Sequence, residues 1–158
     1  MIPLKDSNPT ERFPVVTVLL IAVNTTVFLY QLTLGRGRGE AFVRAFALVP
    51  AQLFSGGTDA AGAVPAGLSV LTSMFLHGGV LHLVGNMLYL WIFGNNVEDA
   101  MGRFRFFAFY VLCGTLAALS HAVPFPGSEV PMIGASGAVS GVLGAVSYTH
   151  LRAHETGR

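Results

Sequence analysis

Polar and apolar positions in this chain are sorted into blocks instead of being interleaved as in a water-soluble domain. The 17 charged residues leave four stretches, 13–35, 60–97, 106–128 and 130–151, without any charge. A helix crossing about 30 Å of hydrocarbon needs roughly 20 such residues. The first stretch reads FPVVTVLLIAVNTTVFLYQLTL and predicts a spanning helix over 13–34. Its Asn24, Thr25 and Thr26 can bond back to the helix or face a partner helix. The second stretch is too long for one span and is broken by glycines; it predicts a loop up to about Thr72 and a helix over 80–99. A third helix is expected over 106–122, ended by VPFPGSEVP, whose prolines and glycine forbid regular helix. A fourth begins at Ser136 in SGAVSGVLGAV. Within 35–72, AFVRAFALV has apolar residues at helical spacing and reads as an interfacial helix more than an aqueous domain.

Composition sharpens this into a class. The 158 residues are 53% hydrophobic and 11% charged, with mean hydropathy +0.62. Soluble domains carry about 25% charged residues, so a soluble globule and a disordered chain are both excluded. An all-α polytopic membrane protein remains. A net charge of +1 gives no electrostatic footprint for nucleic acid. The lone Cys113 has no partner for an internal disulfide. A secretory signal in the first 34 residues is disfavoured, because the apolar stretch is too long and no small-residue cleavage site follows it. Lys5, Arg12, Arg103 and Arg105 fall on one side and Arg36, Arg38 and Arg44 on the other, which weakly favours a cytoplasmic N-terminus.

Polar side chains inside a membrane are costly and point to function. His82 and Asn86 are four apart, hence stacked on one helix face, with Tyr89 and Phe93 continuing the stripe. Such a pair can hold an oxygen that develops negative charge, or it can serve only to join helices. A metal site on His77 and His82 is disfavoured: their i, i+5 spacing splits them between faces, and no acidic or Cys ligand is near. Ser136 sits in G-A-S-G at a predicted helix start, where unpaired backbone N–H groups and the positive end of the helix dipole can assist an attacking hydroxyl. The same segment also reads as a packing face, with Gly137, Gly141, Gly144, Ala138 and Ser140 as its small residues.

Three blocks in order, FLHGGVLHLVGNM, NNVEDAMG and GASGAVSGVLG, resemble the rhomboid intramembrane serine proteases, as does the leading PLKDSNPT. The resemblance covers about residues 1–145. It implies Ser136 as nucleophile, with His82 and Asn86 helping the serine N–H hold the oxyanion. Glu98, Gly134 and Gly137 would be structural, and no cofactor or metal is implied. The expected reaction is hydrolysis of a peptide bond in or beside a transmembrane helix of a substrate protein. The expected setting is the lipid bilayer of a bacterial inner membrane. The implied fold is a helical bundle of six spans, here entered only as far as the fourth. The family's base histidine lies on the sixth span and has no counterpart here, so the chain as written is expected to be an inactive fragment. Ser140 stands where some members carry an aromatic, and the Trp-Arg pair of some first loops is missing.

The ending VSYTHLRAHETGR breaks the apolar pattern, and a sequencing-library adaptor translates to the same string through its Thr156. Residues 146–158 are therefore expected to be a non-native tail. His150 and His154, 14 and 18 residues beyond Ser136, would sit roughly 21–27 Å along a continued helix and do not serve as its base. Two other classes compete. A catalytically dead rhomboid-like protein that binds membrane helices would usually lack the serine or the histidine, whereas Ser136, His82 and Asn86 are all present. A transporter fragment would carry a central intramembrane charge, and no native span does.

Overall fold

The computed structural model describes residues 13–56 and 63–155, with side chains described through Val146. The PLKDSNPT block and the side chains of the tail, including His150 and His154, lie outside the described residues. The apolar stretches fold into helices: α1 Val15–Thr33, α2 Gly35–Phe46, α3 Pro50–Ser55 and α4 Ala66–Thr72. There follow α5 Val80–Tyr89, α6 Asn95–Met101, α7 Arg103–Ala122 and α8 Ser136–Glu155. Among the described residues the only β pairing is one antiparallel bridge, Leu48 to Met132, which ties the segment after α2 to the loop before α8.

Helices α5 and α6 form one rod through a π-type turn at Leu90–Gly94. Gly94 permits that turn to lie close against α1: a Cβ there would meet Leu90 Cδ1 at 3.0 Å and Thr17 Oγ1 at 3.2 Å. α1 packs along this rod, with Thr17 near Glu98 at one end and Gln31 near His77 at the other, so the two run antiparallel.

Two expectations need correction. The stretch before Thr72 is not simply loop. α4 occupies Ala66–Thr72, runs on as a 3-10 turn through Phe75, and meets the rod at an 83° bend. The cause is local: Leu76 is extended, and Gly78 and Gly79 follow it before helix resumes at Val80. The small-residue face is also narrower than expected. Gly137 and Gly141 press on α7, where a Cβ would come 2.5 Å from Ala117 Cβ and 2.5 Å from Cys113 Sγ respectively. Gly144 meets nothing within 4 Å and Ser140 is exposed. Ser140 and Gly144 therefore lie off the α7–α8 contact.

The packing is inverted relative to a soluble protein. Leu81, Phe104, Trp91, Val84 and Leu116 are exposed, while Thr17, Asn24, His77, Asn86 and Glu98 are buried. Apolar atoms outward and hydrogen-bonding groups inward is the arrangement a hydrocarbon solvent selects, because it offers no partner to a polar group. α1 and α7 are each long and apolar enough to cross a membrane. The chain is an integral membrane protein.

Candidate active site

The site begins with a glycine. Gly134 has φ +119, a conformation that side chains rarely adopt, and its N–H donates to the Ser73 carbonyl at 2.9 Å. This turn delivers the chain into α8, whose first residue is Ser136. Ala135 is buried beneath the turn, while Ser136 is exposed and lines a cavity of about 210 Å³ shared with Ser73, Met74, Ala118 and His121. The Ser136 hydroxyl thus stands at the end of a helix whose first N–H groups have no intrahelical acceptor.

His82 approaches the same turn from α5. A Cβ at position 134 would lie 2.6 Å from His82 Cε1 and 2.7 Å from Nε2, so the imidazole edge rests on the Gly134 backbone. His82 is thereby brought within two residues of Ser136 along the chain, although no hydrogen bond joins the two side chains among the described residues. Asn86 bonds to a different partner. Its Nδ2 lies 3.1 Å from Nε2 of His77, and both side chains are buried. Farther along the stripe, Tyr89 and Phe93 stack with ring centroids 6.0 Å apart.

His77 is the residue that sequence reasoning undervalued. It sits in the bend before α5, is 2% exposed, and its ring meets that of His82 edge-on at 5.1 Å. Burial, reinforced by the facing His82, lowers its pKa to about 4, so the ring is neutral at physiological pH. Nδ1 makes no hydrogen bond of acceptable geometry, although the Phe75 backbone lies close enough to favour a charged ring. The backbone of His77 is clamped by Gln31 of α1: the His77 N–H donates to Gln31 Oε1 at 3.2 Å, and Gln31 Nε2 donates to the His77 carbonyl at 3.2 Å. Neither Gln31 nor His121 stood out in the sequence. The only available signal was a glutamine near the end of an otherwise apolar span.

Glu98 lies at the opposite end of the rod and is 3% exposed. Its carboxylate accepts from the Val16 N–H at 2.9 Å, the Thr17 N–H at 2.8 Å and the Thr17 hydroxyl at 2.8 Å. It therefore fastens the start of α1 to α6. His77 Nε2 is engaged by Asn86, and the described residues gather no group of three metal-ligating side chains.

A polar interior in an apolar shell, with an exposed serine at the start of α8 and His82 resting on the glycine turn before it, defines a polytopic membrane protein. The rhomboid domain family model matches residues 66–158, more than half of the chain, and the chain belongs to the rhomboid family. It is 40% identical over 82 residues to "Rhomboid protease GluP" of Bacillus subtilis (strain 168), covering 52% of this chain and 16% of that protein. It is 38% identical over 77 residues to "RHOMBOID-like protein 5" of Arabidopsis thaliana, covering 49% and 25%. It is 38% identical over 89 residues to "Rhomboid protein 1, mitochondrial" of Saccharomyces cerevisiae, covering 54% and 26%. The matched region thus spans about a quarter or less of each of these relatives. No solved structure matches significantly.

Proposed function

We propose that this chain is the nucleophile-bearing part of an intramembrane serine endopeptidase that cleaves transmembrane protein substrates, working in a bacterial inner membrane. The observation that carries the reading is the position of Ser136: exposed to a cavity in the first turn of α8, with the His82 ring resting on Gly134 beside it. In this reading Ser136 Oγ attacks the carbonyl carbon of the scissile peptide. The carbonyl oxygen becomes an oxyanion held by the Ser136 N–H, the imidazole of His82 and the side chain of Asn86, at the positive end of α8. Expulsion of the amine leaves an acyl-enzyme, which water hydrolyses. The base that takes the serine proton is, by family resemblance, a histidine on a helix beyond α8.

The test uses the intact gene product, reconstituted in liposomes with a fluorogenic transmembrane substrate. Ser136→Ala is expected to lower the cleavage rate by at least about 10³-fold while leaving the protein folded, as loss of a serine nucleophile does elsewhere. Undiminished cleavage by that variant would remove the proposal.

A further inference from the structure

We propose that His77 is a positioning residue for the oxyanion-binding side chain of Asn86, and that Gln31 holds His77 in place. The inference rests on the endopeptidase reading and extends it to residues outside the serine, histidine and asparagine already considered.

Three contacts carry it. The first is the buried bond between Asn86 Nδ2 and His77 Nε2 at 3.1 Å. A side-chain amide nitrogen only donates, so Nε2 is the acceptor and the His77 proton resides on Nδ1. One Nδ2 proton of Asn86 is thereby given to His77, and the second is unused by it. The second contact is the edge-on meeting of the His77 and His82 rings at 5.1 Å, which limits how far the His77 ring can turn away from Asn86. One side chain therefore touches both residues of the α5 pair. The third is the two-point clamp of Gln31 on the His77 backbone, both bonds 3.2 Å. It is needed because His77 lies outside any helix, in a bend whose own backbone bonds do not fix it. Without the clamp, α1 would have no polar hold on this bend.

An amide that must meet a developing charge performs only if it is held in the right orientation beforehand, and a displacement of about 1 Å can cost roughly 100-fold in rate. His77 supplies that hold to Asn86 without touching substrate. It differs from simple helix glue in one respect: its effect must pass through Asn86.

The experiment is a double-mutant cycle in the intact gene product, in liposomes, with the same transmembrane substrate. His77→Ala is expected to reduce kcat roughly 10- to 100-fold with KM little changed, at a normal thermal midpoint. Asn86→Ala should do the same, and the double variant should be no slower than Asn86→Ala alone, because the two act as one unit. His77→Gln, which retains an amide oxygen as acceptor, should recover part of the loss, and Gln31→Ala should cost several-fold in kcat. Multiplicative losses in the double variant, or a loss that only tracks the amount of folded protein, would overturn the inference. If His77→Ala does not fold, His77→Gln and Gln31→Ala run the same cycle against Asn86→Ala. The Ser136→Ala control separates the two levels. If it leaves cleavage intact, the endopeptidase reading fails. If it abolishes cleavage while the cycle is multiplicative, only the role of His77 falls.

Discussion

Helix α1 is fastened to the α5–α6 rod at both ends, and the two fastenings differ in kind. At the Thr17 end an ionisable carboxylate, Glu98, accepts three short hydrogen bonds from α1. At the Gln31 end the partners are neutral, the bonds are longer, and His77 keeps an unpartnered Nδ1 while Asn86 keeps a second amide proton. A saturated cluster rigidifies and has no capacity left for a ligand. An incompletely saturated one, joined through the His82 ring to the turn that precedes Ser136, keeps hydrogen-bonding groups without partners. In the endopeptidase reading proposed above, the difference separates the scaffold end of the molecule from the chemical end.

The comparison breaks most visibly at Glu98. Replacing it by Ala leaves the Val16 and Thr17 N–H groups and the Thr17 hydroxyl buried without an acceptor, at about 1–3 kcal/mol for each group that finds no water. Glu98→Ala is therefore expected to lose about 3 kcal/mol or more in reversible unfolding in detergent, with Glu98→Gln falling between it and the parent. A loss below about 1 kcal/mol would show that α1 does not depend on this carboxylate.

Charge-free blocks made the all-α membrane character legible from the sequence, because a hydrocarbon solvent imposes a long apolar run that few other structures need. The stacked positions of His82 and Asn86 were equally legible, since helical periodicity alone sets them. Where each side chain goes was not. His82 turns to Gly134 and Asn86 to His77 because an 83° bend brings the α4–α5 corner against α1 and the α8 turn, a tertiary arrangement that periodicity does not encode. His77 looked unpromising because i, i+5 spacing assumes one continuous helix, and the bend removes that assumption. Gln31 meets His77 across 46 residues of sequence, and no local pattern announces a pairing of that separation.

A middle-sized effect is expected at Gly134, where backbone and ring constraints coincide. Gly134→Ala must adopt φ near +119 or reshape the turn, and its methyl would enter the His82 ring edge at 2.6 Å. Strain of this kind costs of order 1–3 kcal/mol. His82 is the softer partner and should swing away. The expected outcome is a fall in cleavage rate larger than the modest drop in thermal midpoint accounts for. A variant with parental activity would mean that the His82 position on this turn is immaterial to the site.

The smallest effect, and the one that most directly contrasts the two ends of α1, is in pH. His77 lies in the bend outside the spanning helices, and burial beside His82 depresses its pKa from 6.5 to about 4. Its native form is neutral, so the unfolded chain binds the proton first as acid is added. Stability should accordingly be constant above about pH 7.5 and fall as pH drops through 6.5 towards 4, by about 1 kcal/mol between pH 7.5 and 5.5. His77→Gln removes the titrating group but keeps an amide in its place. Carboxylates elsewhere titrate alike in both proteins, and the measured quantity is the difference between their pH 7.5 to 5.5 stability changes. The parent should lose about 1 kcal/mol more than the variant over that interval. Equal losses would mean that His77 is hydrated in the folded protein, and the chemical end of α1 would then be no drier than an ordinary surface loop.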